Sequence, residues 1–327
     1  MTRRFKYIAL FASLLAALVV TLGAYTRLSH AGLGCPDWPG CYGFLTVPNE
    51  HHEISAAHDA FPGSQVEPKK AWIEMVHRYF AGSLGIVILV LAGLAVMTKA
   101  SHTKPVKLSL TILVLVVFQA LLGMWTVTLN LQPVIVMGHL LGGFAILSLL
   151  TLLYLRLKYA SYSTLGDNAQ QSRRWVLFAL GILILQIALG GWLAANYAAP
   201  HCPGLPLCSN IELFSIESLF HLPASSATYE YGVLPFETRL SIHVVHRVWA
   251  VVTVCALGLV AWRVWRASSD AKIKQAAQWV LMLLLLQFTV GVAIVHWQFP
   301  LLLTLFHNFM AAMLLIATVR LSYFCSK

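Results

Sequence analysis

Eight apolar runs, each long enough to cross a bilayer, constrain the fold of this chain more than any other feature. A helix needs about 20 apolar residues to cross roughly 30 Å of hydrocarbon. Runs of about that length cover residues 7–25, 73–97, 108–128, 134–155, 175–196, 240–262, 277–297 and 302–320. An open chain satisfies its backbone polar groups in lipid only as helices. The sequence therefore predicts an all-α polytopic membrane protein with eight transmembrane helices.

The few charges in the chain predict its orientation. Only 10% of the 327 residues are charged, and the formal net charge is +10. In a soluble protein this excess would suggest nucleic acid binding. Here 16 of the 22 basic residues lie in short segments that all fall on one side of eight spans, so no nucleic acid partner is predicted. These residues are Arg3, Arg4, Lys6, Lys99, Lys104, Lys107, Arg156, Lys158, Arg173, Arg174, Arg263, Arg266, Lys272, Lys274, Arg320 and Lys327.

The positive-inside rule assigns that side to the cytoplasm. We therefore expect a multi-pass protein of the cytoplasmic (inner) membrane with both termini cytoplasmic. The first run is longer than the apolar part of a typical secretory signal, so we expect it to be an uncleaved span. Two long loops, about 26–72 and 197–239, then lie on the outer (periplasmic) side as compact folded caps.

The second half of the chain repeats the first at a nearly constant offset. Four features recur 167 to 169 residues later: Cys35 and Cys41 as Cys202 and Cys208, His77-Arg78 as His246-Arg247, Gln119 with Gly123 as Gln287 with Gly291, and His139 as His307. Because each unit has an even number of spans, the copies are parallel repeats related by an axis along the membrane normal. The sequence predicts two pseudo-symmetric four-helix bundles, residues 1–160 and 161–327.

Four histidines lie inside the predicted spans. Such residues are costly in lipid and usually mark function, although a hydrogen bond between helices is the simpler alternative. His77 and His139 lie about five residues from the outer ends of their spans, and His246 and His307 repeat this placement. Two histidines from different helices at one depth suit the axial positions of a haem iron, whereas structural zinc takes four close ligands. For the deeper Gln119 and Gln287 we expect hydrogen bonds between helices.

The two predicted sites differ in one neighbouring residue. Glu74 precedes His77 by three positions, whereas His243 precedes His246. Residues at i and i+3 share a helix face, so the first site has a carboxylate that the second lacks. Unless that carboxylate is simply solvated, it suggests a base, or a group stabilising a cationic intermediate. The substrate site then lies in the first bundle, and a retained haem lies in the second.

Arginines and cysteines accompany both sites near the outer face. The side chains of Arg27, Arg78 and Arg247 suit haem propionates, but arginines at a membrane edge are also common snorkelling anchors. The pairs Cys35–Cys41 and Cys202–Cys208 share one spacing in the outer loops, where an oxidising compartment favours disulfides. Each disulfide is either a structural clip or a labile pair that exchanges electrons with a partner. We expect Cys255 and Cys325 to be inert and three histidines to lie on the surface: His51, His52 and His58.

Five segments of this chain resemble the haem A synthases, membrane enzymes that convert haem O to haem A for cytochrome oxidase. They are Thr26-Arg27-Leu28 with Gly32-Leu33-Gly34-Cys35, Glu74-Met75-Val76-His77-Arg78, Gly138-His139, His243-Val244-Val245-His246-Arg247 and His307-Asn308. The resemblance covers essentially the whole chain. It implies that His246 and His307 ligate haem b, that His77 and His139 hold haem O as substrate, and that Glu74 is needed for oxidation. It also implies a disulfide in each long loop, the first being linked to catalysis.

The activity implied by the resemblance is oxidation of a ring methyl of haem O to a formyl group through hydroxylated intermediates. The implied partners are the farnesyltransferase that makes haem O and the cytochrome oxidase assembly factors. The electron acceptor is not identified by the sequence, and a homo-oligomer is one of the assembly states that it leaves open. The main alternative is a bis-histidine b-type cytochrome that only transfers electrons. A haem transporter is disfavoured because all four histidines lie near one face.

Overall fold

The computed structural model describes residues 2–97, 106–163 and 168–326, and these residues form nine α-helices. The helices are α1 (Thr2–Leu28), α2 (His51–Ala60), α3 (Pro68–Met97), α4 (Val106–Thr128), α5 (Pro133–Lys158), α6 (Asn168–Ala195), α7 (Phe236–Ala267), α8 (Ala271–His296) and α9 (Leu301–Phe324). All except α2 contain segments long and apolar enough to cross a membrane. The prediction of an all-α polytopic membrane protein with eight spans is confirmed. Lys99, Lys104 and Lys327 of the charge pattern lie outside the described residues.

Five spans begin at least four residues earlier than hydropathy predicts, because their first turns are polar: α1, α3, α6, α7 and α8. Helix α3 begins at Pro68 rather than at 73, and α7 begins at Phe236 rather than at 240. Proline suits the first helical position, because its fixed φ matches the helix and no backbone N–H is lost there. Hydropathy locates the apolar part of a helix, whereas local signals such as this proline locate its end.

The packing of the helices repeats between the two halves of the chain, residues 1–160 and 161–327. Helix α1 packs against α3 and α5, and its counterpart α6 packs against α7 and α9. The contacts α3–α4 and α4–α5 of the first half recur as α7–α8 and α8–α9 in the second. The halves meet through α1, α5, α6 and α9. This recurrence supports the predicted repeat, although the axis that relates the two copies stays a prediction.

The apolar core lies toward one end of the helices, and the four histidines lie toward the other. The largest buried cluster contains Ala9 and Leu15 of α1, Ile88 of α3 and Leu147 of α5, with equivalent residues of the second half. The histidines lie closer to the long loops. The first of these loops contains α2, and the second contains three short 3₁₀ turns at Ala199–His201, Ile211–Leu213 and Glu217–Phe220. The packed end fixes the helices relative to one another, so the other end is available for ligands.

Asp270 caps the N-terminus of α8 and provides a test of this part of the fold. Its carboxylate accepts hydrogen bonds from the backbone N–H groups of Lys272, at 2.8 Å, and Ile273, at 3.1 Å. Because those groups have no partner within the helix, we expect Asp270→Ala to cost about 1 kcal/mol of stability. The midpoint of thermal unfolding in detergent measures this loss. Asp270→Asn keeps an acceptor, so an equal loss in both variants would contradict the capping role.

Candidate haem sites

The four histidines form two pairs, one in each half. His77 of α3 lies near His139 of α5, and His246 of α7 lies near His307 of α9. His139 and His307 each lie six residues after the first residue of their helix, from 133 to 139 and from 301 to 307. The structure therefore brings together the pairs that the sequence predicts.

Each of these imidazoles packs against a glycine of a neighbouring helix. A Cβ atom at Gly23 would lie 3.0 Å from Cε1 of His77, and one at Gly123 would lie 3.1 Å from Cε1 of His139. In the second half, Gly190 and Gly291 have the same relation, at 3.1 Å, to His246 and His307. We call these four positions the glycine notches. A larger residue at any of them would force the imidazole to move, because 3.0–3.1 Å is tighter than ordinary carbon contacts.

The polar atoms of the imidazoles suit axial coordination of a haem. Nδ1 of His77, His139 and His307 is buried, and none of the three has a hydrogen-bond partner among the described residues. A buried polar group without a partner is costly, so an additional ligand is expected in both halves. Two neutral imidazoles from facing helices are the donor set of a bis-histidine haem. The residues therefore fit the haems that the sequence predicts.

Glutamine side chains contact three of the four histidines. Nε2 of Gln119 donates to the backbone carbonyl of His139 at 2.6 Å, and Nε2 of Gln287 lies 3.1 Å from Nε2 of His307. In the second half, Gln186 of α6 also approaches His246, with Nε2 at 3.3 Å from both Nδ1 and the backbone carbonyl oxygen. Gln119 and Gln287 thus lie between helices, as predicted, whereas Gln186 was not among the predicted site residues.

Glu74 is buried beneath the first cysteine loop. Its side chain is 6% exposed and forms an ion pair with Arg78, with 2.5 Å between Oε1 and Nη2. Its other oxygen, Oε2, accepts a hydrogen bond from the backbone N–H of Cys35 at 3.0 Å. A solvated carboxylate is therefore excluded in this structure. Both oxygens are held in place, one turn from His77 on the same helix.

The equivalent residue of the second half, His243, is also buried but lacks a negative charge. It is 3% exposed and lies 6.0 Å from Phe299 between ring centroids. Like Glu74, it lies beneath a cysteine loop, because Leu240 and Val244 on the same helix pack against Cys202 and Cys208. The two halves thus share a layout at this position and differ in its charge, as the sequence predicts.

Arg78 and Arg247 support the two cysteine loops. Nη1 of Arg78 donates to the carbonyls of Asp37, at 2.9 Å, and Gly40, inside the loop closed by the Cys35–Cys41 disulfide. Nη1 of Arg247 donates to the Gly204 carbonyl at 2.8 Å, inside the loop closed by Cys202–Cys208. Nε of Arg247 is buried without a partner among the described residues, which leaves one donor for an anionic group. Arg78 has less capacity for a propionate, because it also pairs with Glu74.

Arg27 joins the two halves near the outer loops. Its Nη2 donates to the carbonyl of Ala194 at 2.5 Å, and its guanidinium lies 3.7 Å from the ring centroid of Tyr197. Its Nε is buried and has no partner among the described residues. The second long loop also reaches the first half, because Asn130 donates to the carbonyl of Ala227 at 2.9 Å. Sequence reasoning gave no signal for these contacts between halves.

The remaining predicted residues lie away from the histidine pairs. Cys325 is buried at the end of α9, and burial raises the pKa of its thiol to about 12, which agrees with an inert cysteine. Cys255 is a free, exposed thiol on α7. Three exposed histidines, as predicted for the surface, lie on α2: His51, His52 and His58.

Comparison with known proteins identifies relatives over the whole chain. Residues 6–319 match the model of a family described as cytochrome oxidase assembly protein. The haem A synthase of Shewanella oneidensis is 43% identical over 310 residues, which cover 94% of this chain and 92% of the relative. The haem A synthase of Alkalihalophilus pseudofirmus is 25% identical over 97% of this chain and 96% of its own length. That of Flavobacterium psychrophilum is 23% identical over 96% and 95%, respectively.

Proposed function

This chain belongs to the haem A synthase family of cytochrome oxidase assembly proteins, and on that basis we propose that it is an oxidoreductase that converts haem O to haem A. The reaction oxidises a ring methyl to a formyl group through hydroxylated intermediates. One observation carries the assignment of the sites. Of the two matched histidine pairs, only the first has a buried carboxylate, Glu74, on the same helix. Two sites that only carried electrons would not need this difference.

In this proposal His77 and His139 hold haem O, and His246 and His307 hold haem b. When bound, haem b supplies one-electron transfer. The four imidazoles orient the two porphyrins, and the glycine notches fix the imidazoles. Arg27 and Arg247, each with a buried and unpartnered Nε, are the arginines best able to bind propionates. Oxidation of a methyl group releases protons and can pass through a cationic intermediate, and the Glu74 carboxylate would accept a proton or stabilise that positive charge in the first half.

We also propose a membrane location, a division into two bundles and a set of partners for the enzyme. The protein lies in the cytoplasmic membrane with both termini inside and both cysteine loops outside. Residues 1–160 form the substrate bundle, and residues 161–327 form the haem b bundle. The partners are the farnesyltransferase that supplies haem O and the assembly factors of cytochrome oxidase. The distribution of basic residues supports the orientation, the recurrence of helix contacts in the two halves supports the two bundles, and membership of the family supports the partners.

The test is to express this chain together with a haem O-forming farnesyltransferase in a host that lacks haem A. Extracted haems are separated by chromatography and identified by mass. We expect haem A and its hydroxylated precursor only when both proteins are present. If the purified protein carried haem but the extract contained only haem b and unreacted haem O, the proposal would be wrong. The electron-carrying cytochrome would then be the better description.

A further inference from the structure

Two side chains tie helices α6 and α7 together around His246 through hydrogen bonds. Gln186 of α6 reaches the ring and the backbone carbonyl of His246, with both contacts at 3.3 Å. One turn further along α7, Nε1 of Trp249 donates to the carbonyl of Ile182 on α6 at 3.1 Å. We call Gln186 and Trp249 the helix clamp. It joins the helix that carries a ligand histidine to the helix that carries its glycine notch.

Among the described residues of the first half, no pair of side chains forms an equivalent of this clamp. Val19 corresponds to Gln186 at the offset that relates Gly23 to Gly190. Phe80 corresponds to Trp249 at the offset that relates His77 to His246. Neither the side chain of valine nor that of phenylalanine donates a hydrogen bond.

The other glutamines do not create this difference. Gln119 and Gln287 occupy equivalent positions, and each contacts the second histidine of its own pair. The clamp is therefore an additional feature of the second half, located at the first histidine of the pair.

We propose that Gln186 and Trp249 are positioning residues that make the second site retain its haem, whereas the unclamped first site exchanges substrate for product. This inference rests on the proposed function, which assigns a retained haem b to His246 and His307. A haem leaves when an axial histidine moves away from the iron, and α7 moves from α6 only when the clamp bonds break. The first site must release its product, which is nearly as large as the retained haem. Movement of α3 away from α1 allows that release.

The test replaces the clamp with the residues of the first half, as Gln186→Val, Trp249→Phe and the double variant. All are made in a His77→Ala background, so that His246 and His307 are the only complete pair. Haem release from the purified protein into an excess of a soluble apo-haem protein is followed by absorbance. We expect release to be about tenfold faster in the double variant, since two bonds of roughly 0.7 kcal/mol together correspond to that factor. Each single variant gives a smaller increase.

Two further readouts separate this inference from a general loss of stability. The low-spin bis-histidine spectrum before release shows that each variant is folded. The midpoint potential of the haem is expected to shift in Gln186→Val, because that residue contacts a ligand imidazole, and to change less in Trp249→Phe. Gln119→Leu, in the same background, is a matched control from the first half and is expected to release haem at the parent rate.

The outcomes of these experiments test the clamp separately from the assignment of haem b to His246 and His307. Parent-like release and potential in a haem-loaded double variant would overturn the clamp and leave the proposed function intact. Equal acceleration by Gln119→Leu would also overturn the clamp, because the effect would not be local to His246. Absence of any haem from the His77→Ala background would overturn the assignment of haem to His246 and His307, and the clamp with it.

Discussion

Glu74→Gln is expected to leave both haem sites occupied and to slow the formation of haem A by roughly 10²- to 10⁴-fold, the usual contribution of a general acid or base. The substitution keeps the shape of the side chain and removes its negative charge. Glu74 lies on α3 one turn before His77 and contacts Arg78 and Cys35, so neither ligand imidazole loses a contact. Chromatography of the extracted haems, normalised to haem b bound to the purified protein, measures the effect.

The alternative explanation is structural and needs its own control. Removing the carboxylate leaves Arg78 buried without its ionic partner, which is destabilising in itself. The double variant Glu74→Gln with Arg78→Gln removes that unpaired charge. If the role of Glu74 is chemical, the double variant stays as inactive as the single one. Recovery of haem A formation in the double variant would show that the loss in the single variant came from the unpaired charge of Arg78 and not from the missing carboxylate.

Hydropathy and repetition predict most of the fold and the histidine pairs. Eight spans follow from composition alone, because lipid requires apolar helices of a minimum length. His139 and His307 were recognisable because the same residue recurred at the same depth. Helix α2 was not predicted, since a short polar helix in a loop lacks the long apolar pattern of a span. Its stability depends on packing with the surrounding loop, which includes Ala57 in a small buried cluster.

The parts that sequence reasoning missed depend on contacts between helices. The constant offset links Gly23 to Gly190, but it does not show which side of α1 or α6 faces the histidines. In the structure both glycines face an imidazole. Gln186 breaks the repeat, so a search for matching positions passes over it. Arg78 and Arg247 were interpreted from the sequence as either propionate contacts or snorkelling anchors, and in the structure both also donate to loop carbonyls. The course of a loop over a helix end follows from tertiary packing and is not encoded in spacing.

Gly190→Val is expected to weaken haem binding in the second half by about tenfold or more. A Cβ at this position would lie 3.1 Å from Cε1 of His246, and valine adds two methyl groups beyond it. Overpacking of this kind costs about 1 to 3 kcal/mol, and each 1.4 kcal/mol is a factor of ten in affinity. Because α6 is held by its neighbours, we expect the imidazole to move rather than the helix. Titration of haem into the purified protein, with the haem-to-protein ratio at saturation, measures the change.

Gly181→Val is the matched control, because Gly181 lies on the same helix and a Cβ there would meet nothing within 4 Å. Both substitutions change helix propensity and hydrophobicity equally, so their difference isolates the contact with His246. Equal haem affinity in the two variants would show that the ligand histidine does not need the notch. A selective loss in Gly190→Val would predict the same loss from Gly291→Val, where the notch faces His307. In the first half, Gly23→Val and Gly123→Val would then impair the binding of haem O while haem b stayed bound, since those notches face the substrate ligands.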